Sequence, residues 1–270
     1  MIHPTALIDP KAHIETDVLI GPHVVIGPDV QIHKGVSIHH HASIIGNTVI
    51  EKDVQIHSFA SIGDIPQDLK YKKEKCYCNV GERTVIREFA TINAGVENQG
   101  PITQIGSDCL MMAYSHLGHN TIVGNHVVIA NSGTLAGHVK VDDYAIIGGL
   151  VGVHQFVHIG TLTIVGGCSK VNKDLPPFML ADGIPARIHY INKVGLKRKG
   201  YDPEVISKIK ETFILLYRSG LNVSQALEKL VPLSNKCSEV KAVVQFIKDS
   251  ERGIARGTFY EKSGTHCGEW

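Results

Sequence analysis

Residues 8–38 read IDPKAH IETDVL IGPHVV IGPDVQ IHKGVS I, and an isoleucine opens every block of six. The register continues through Ile44, Ile50 and Ile56 to Ile62. Four residues after each isoleucine stands a small or β-branched residue, from Ala12 and Val18 to Val54 and Ala60. The series breaks after Ile62, resumes at Val80, Ile86 and Ile92, breaks again, and runs from Ile105 to Val171. A helix cannot hold a period of six, because at 3.6 residues per turn the apolar positions would circle its whole surface. Short strands joined by turns can: positions i and i+4 share one face of an extended segment, and glycines such as Gly21, Gly27 and Gly106 suit the bends. Burying every opening position at once calls for a parallel β-helix with three hexads per coil and stacked aliphatics inside. At a strand spacing of ~4.8 Å the prism should be roughly 40 Å long.

The 270 residues are 43% hydrophobic and 20% charged, which supports a packed core and excludes a disordered chain. Lys+Arg is 27 against Asp+Glu 26, so the broad basic surface of a sequence-independent nucleic-acid binder is not expected. No apolar run of membrane-spanning length occurs, and the start Met1-Ile2-His3-Pro4 lacks the pattern of a secretory signal. The six cysteines follow no framework spacing and read as reduced cytosolic thiols, while Cys76-x-Cys78 alone is too little for zinc.

These patterns set the expected domain boundaries. Residues 1–175 form the parallel β-helix, with ejected loops near 64–79 and 94–104. Residues 176–200 are a linker, 201–256 a helical domain and 257–270 a flexible tail. Asp202-Pro203 reads as a helix start, and Ser224 and Ser238 as two further caps.

Residues 18 apart lie on one face, one coil up. The hexads opening at Leu117, Leu135 and Val153 therefore stack, which should bring His116, His119, His138 and His154 to one edge. Exposed turns accept polar residues, and His33, His39, His40, His41 and His57 show this chain uses histidine freely there. A convergent set is different: an imidazole can take a proton from a hydroxyl, and the Gly137 N–H one coil above His119 can face a developing oxyanion. The first break carries Asp68 and Lys70, a pair suited to a sugar or phosphate or simply to a solvated loop. A basic run, Lys193, Lys197, Arg198 and Lys199, suits a diphosphate, an acidic partner protein or a solvated linker.

The stretches Ile65-Pro-Gln-Asp-Leu-Lys-Tyr71, His116-Leu-Gly-His119, Leu135-Ala-Gly-His-Val139, Val153-His-Gln-Phe156, Val165-Gly-Gly-Cys-Ser169 and Gly195-Leu-Lys-Arg198 resemble the UDP-N-acetylglucosamine O-acyltransferases, which open lipid A synthesis. The resemblance implies a left-handed coil and a cytoplasmic homotrimer with sites at subunit clefts, no metal and no cofactor. It implies transfer of a long 3-hydroxyacyl or related fatty acyl chain from acyl carrier protein to the 3-hydroxyl of UDP-N-acetylglucosamine. His119 matches the general base and Gly137 the oxyanion donor. Asp68, Lys70, His116, His138, His154, Gln155, Asn192 and Arg198 match substrate-binding positions, and Gly167 the position that limits acyl length. Two departures stand out: Asn120 where the family commonly carries Asp, and Lys199 where a second Arg is common.

Other readings of the repeat are the N-acyltransferase of the same pathway, an acetyl-CoA-dependent acetyltransferase, a γ-type carbonic anhydrase with zinc on three imidazoles, and a structural or ligand-binding scaffold. The N-acyltransferase carries an extra N-terminal uridine-binding domain, for which a repeat beginning by residue 8 leaves no room.

Overall fold

The computed structural model describes residues 1–97, 100 and 102–258. Strands of mostly two residues form three parallel sheets, and every third strand in the chain joins the same sheet. Leu7–Ile8 pairs Val25–Ile26, His13–Ile14 pairs Gln31–Ile32, and Leu19–Ile20 pairs Ser37–Ile38. Ile8 thus stacks on Ile26, Ile14 on Ile32 and Ile20 on Ile38, the 18-residue register expected of three-hexad coils. The opening positions point inward: Ile26, Ile44, Ile62, Ile92, Leu117 and Leu135 are all essentially inaccessible to solvent. Each fully buried aliphatic stabilises the coil by about 1.5–3 kcal/mol relative to exposure. The residues preceding them point outward, which leaves Leu7, Leu19 and Val25 exposed.

The corners demand an unusual backbone. Asp17, His23, His41, Phe59, Asn120, His138 and Phe156 all have φ between 57° and 64°, the left-handed region that side chains with a Cβ rarely enter. Asn and Asp tolerate it best; elsewhere the ladder of hydrogen bonds on either side enforces it. His138 N–H donates to the His119 carbonyl (2.9 Å), and Tyr144 N–H to the Asn125 carbonyl (2.9 Å).

Neither break displaces the stacked aliphatics, although the pairing slips by one residue just past Ile62, where Asp64 meets Asn93. Val80 pairs with Ile50 across 30 residues, 12 more than one coil, and with Ile105 across 25, 7 more than one coil. The first excursion is ejected, whereas the second folds back and buries Ala94 and Val96. The first leaves after Ser61–Asp64 and returns at Cys76–Val80; the second contains a short strand, Gly95–Val96, antiparallel to Cys76–Val80. Residues 98, 99 and 101 of the second expected loop lie outside the described residues.

Beyond residue 175 the sequence expectation needs correction. The stretch 176–200, expected as a linker, carries the hairpin Met179–Gly183 with Ala186–Ile191, which extends the third sheet, and the helix α1 (Lys193–Arg198). The strands lie there because Met179, Ala181, Ile188 and Ile191 cap the aliphatic stack, an alternation that the search for hexads overlooks. Helices α2 (Pro203–Tyr217), α3 (Val223–Ser234) and α4 (Ser238–Asp249) follow, packed through Ile209, Phe213, Leu230, Val240 and Val243. Asp202 is the cap of α2, without a side-chain bond. The cap of α3 is Asn222 rather than Ser224, through a reciprocal pair with Gln225, and α4 is preceded by Cys237 with Ser238 already helical.

After α4 the chain returns to the coil: Ser250 Oγ donates to Asp174 (2.6 Å), and Gly257 bridges Ile188. Residues 257 and 258, expected in the tail, are thereby paired, while 259–270 lie outside the described residues. Cys76, Cys78, Cys109, Cys168 and Cys237 are free thiols, and complete burial pushes Cys78 up to about 12. No helix among the described residues is long and apolar enough to cross a membrane.

Candidate active site

The corner that follows Leu117 and Leu135 faces both excursions, and between them lies a cleft of about 750 Å³. Its walls include Asp68, Lys70, His116, His119, Gly137, His138 and Gln155, seven of the expected site residues. Three columns, each with an 18-residue step, build the corner: Gly118–Ala136–His154, His119–Gly137–Gln155 and Asn120–His138–Phe156. The backbone is left-handed at Asn120 and His138; Asn120 bonds Val96 of the second excursion, and His138 lines the cleft. His119 and His138 meet edge to face with ring centroids 5.0 Å apart, and Phe156 stacks on His138 at 4.6 Å.

His119 is held on both sides. Its Nδ1 lies 2.8 Å from Asn120 Oδ1, and its Nε2 lies 4.0 Å from the Asp68 carboxylate across the cleft. Directly above it, a Cβ on Gly137 would come within 2.6 Å of Nε2. Among the described residues the Gly137 N–H donates to no protein carbonyl. Asp68 is fixed by accepting from the Lys70 N–H at 2.9 Å. Burial holds His116 below the ordinary histidine value, and its Nδ1 sits 2.7 Å from Thr91 Oγ1. Burial and, next, the neighbouring His119 hold His138 below it too. Two imidazoles that stay neutral beside a third suit a site that moves a proton rather than one that binds an anion by charge.

Four expected residues lie outside this cleft in the single chain. His154 is exposed and turns its Nδ1 to the Gln155 carbonyl (3.1 Å), although Gly118 and Ala136 below it in the same column line the cleft. Asn192 is buried as the cap of α1: its Oδ1 accepts from Gly195 N–H and its Nδ2 donates to the Leu162 carbonyl. Arg198 is exposed at the end of α1, and neighbouring Lys199 sets its ammonium 3.6 Å above the Tyr144 ring. Gly167 is exposed one coil above Gly149.

The structure adds residues the sequence reading missed. Gln67, Asn93 and Phe156 line the cleft. The 18-residue step from His138 points directly to Phe156; Asn93 lies beside an excursion whose path no repeat specifies. Among the described residues no group of three or more His, Cys, Asp or Glu is arranged to hold a metal ion.

Three comparisons bear on this geometry. Residues 174–255 match the family "Udp N-acetylglucosamine O-acyltransferase; Domain 2", and residues 102–137 the bacterial transferase hexapeptide repeats. Residues 2–66 match a GMPPB C-terminal domain. The chain is 46% identical over 259 residues to the acyl-[acyl-carrier-protein]–UDP-N-acetylglucosamine O-acyltransferase of Burkholderia lata, covering 94% of this chain and 99% of that protein. It belongs to the UDP-N-acetylglucosamine O-acyltransferase family. As a member it is an acyltransferase, and solved members superpose along nearly its whole length. The Francisella novicida UDP-N-acetylglucosamine acyltransferase gives a TM-score of 0.93 at 37% identity, covering 95% of this chain and 94% of that one. The Moraxella catarrhalis UDP-N-acetylglucosamine O-acyltransferase gives 0.91 at 39%, covering 94% and 99%. The repeat-bearing coil and the C-terminal helices are thus both features this chain shares with the family.

Proposed function

We propose that this acyltransferase moves a fatty acyl group from acyl carrier protein to the 3-hydroxyl of UDP-N-acetylglucosamine, the first step of lipid A synthesis. The observation that carries the reading is the vertical pair His119 and Gly137, both lining one cleft, with Nε2 of the imidazole against the glycine. In this reading Nε2 of His119 removes the proton of the sugar hydroxyl as its oxygen attacks the thioester carbonyl. A C–O bond forms, and the negative charge on the carbonyl oxygen is met by the Gly137 N–H. Collapse of the tetrahedral species breaks the C–S bond, and the proton on Nε2 passes to the departing thiolate. Neither a metal nor an electron acceptor enters this balance.

Asp68, Lys70, His116, His138 and Gln155 surround the same space and would orient the nucleotide sugar. His154, Asn192 and Arg198 would act across a subunit boundary or in shaping it, as part of a cytoplasmic homotrimer of left-handed coils. Support for those assignments comes from the family resemblance and from the exposed positions of His154 and Arg198; the burial of Asn192 favours a shaping role. Gly167, on the exposed edge above Gly149, would leave room for a long acyl chain.

The test is turnover of purified protein with UDP-N-acetylglucosamine and acyl carrier protein thioesters. We expect an ester product with the parent and none with His119→Ala, whose circular dichroism and oligomeric state should match the parent. Near-parental turnover by His119→Ala would remove the mechanism.

A further inference from the structure

The residue beside His119 is bound in a way that a carboxylate could not reproduce. Asn120 is 2% exposed and adopts the left-handed corner conformation, with φ 57°. Its Nδ2 donates to the Val96 carbonyl (2.9 Å), and the Val96 N–H donates back to its Oδ1 (3.1 Å). The side-chain amide thus pairs with both halves of a residue in the second excursion, much as a neighbouring strand would. Thr103 Oγ1 accepts from the Asn120 backbone N–H at 2.9 Å and fixes the base of the turn.

This double bond to Val96 decides which end of the amide faces His119. Since the N–H of Val96 needs an acceptor and its carbonyl a donor, Oδ1 and Nδ2 cannot exchange places. Oδ1 is the atom 2.8 Å from His119 Nδ1, so Nδ1 must carry the ring proton. The neutral ring then presents a lone pair at Nε2, the atom that faces Asp68 and Gly137. An aspartate at position 120 could still accept from Nδ1 and from Val96 N–H. It would, however, set a second oxygen against the Val96 carbonyl with no proton between them.

We infer that Asn120 is a positioning residue that sets the His119 tautomer as a neutral amide, with the second excursion, through Val96, dictating its orientation. The inference rests on the reading of His119 as general base. It also has a consequence for charge. The groups facing the His119 ring are Asp68 and His138, with Lys70 and His116 on the same cleft wall. Among the described residues, the carboxylate placed to meet the transient imidazolium is Asp68, on the Nε2 side.

Two variants test this. In Asn120→Ala we expect kcat to fall about tenfold or more, with little change in KM for the nucleotide sugar, because the wrong tautomer withholds the lone pair. Nitrogen-15 spectra of labelled histidine should show Nδ1 protonated in the parent and a mixture of tautomers in the variant. In Asn120→Asp, a near isostere that serves should the alanine variant not fold, a charge behind Nδ1 should move the acid limb of kcat/KM upward by roughly one pH unit. Amide exchange at Val96 should quicken in the same variant. Parental kcat and tautomer in Asn120→Ala, or an unmoved acid limb with unmoved Val96 exchange in Asn120→Asp, would overturn the inference. The tautomer and exchange measurements need no turnover, so a parent inactive on these substrates would sink the proposed reaction without touching them.

Discussion

His119 and Gly137, 18 residues apart, stack so closely that a single methyl group on the glycine would lie 2.6 Å from His119 Nε2 and 3.0 Å from the carbons beside it. Glycine at 137 is therefore required by the imidazole. Gly137→Ala should displace the ring and lower kcat at least about tenfold, because a misplacement near 1 Å can cost 10²-fold. The coil should survive, since Gly137 is absent from the left-handed corners. Steady-state kinetics beside a melting curve separate the two effects; parental kcat would refute the steric argument.

Gly167 offers a different steric test. A Cβ there would lie 3.3 Å from the Gly149 carbonyl, tight but tolerable, and a longer side chain would project from the exposed edge. Gly167→Met should shift the preferred donor to a shorter acyl chain while activity on that donor persists. Competition among acyl carrier protein thioesters of graded length reads the shift, and an unchanged profile would place the length limit elsewhere.

Acid should destabilise the fold through the cleft histidines. Burial holds His116 below the ordinary value of 6.5, and burial with His119 does the same for His138. The unfolded chain therefore binds these protons first as pH falls. Their contribution is complete above about pH 6.5 and is lost as pH drops through the depressed folded values. Melting temperature followed from about pH 7.5 to 5 should fall less steeply in His116→Gln than in the parent. Equal slopes would mean that protonation at His116 does not couple to folding.

Asn192 separates a shaping role from a binding one. Its amide caps α1 and anchors the Leu162 carbonyl, both from a buried position. Asn192→Ala should lower stability by about 1–2 kcal/mol, the cost of a lost cap and an unsatisfied carbonyl. Chemical denaturation gives the number. A variant of parental stability with a raised KM would instead assign this amide to the substrate.

The coil was legible because one arithmetic period fixes both the strand and its partner: ten isoleucines six apart leave a single way of burying all of them, and the 18-residue step followed. The same step places His119, Gly137 and His138 on one corner. It also puts His154 above Gly118 and Ala136 on the same edge, but the way that exposed side chain turns follows no period. Phe156 was readable by that rule, whereas Asn93 was not, since the path of an ejected loop follows no period. The hairpin at 179–191 escaped because its alternation of two carries no hexad, and the caps at Asn222 and Cys237 because Ser224 and Ser238 are equally good capping types. Helix ends are fixed by which backbone groups the surrounding packing leaves unpaired.

Excursions of 12 and 7 residues leave the chain and return without shifting the pairing of a single aliphatic above or below them. The stacked interior thus tolerates insertions at its corners, but the second excursion is not free to change, because buried Val96 is bound to the corner residue Asn120. For a designer, the first excursion is where new specificity is fitted at little more than the cost of loop closure, since the second also braces the corner that carries His119.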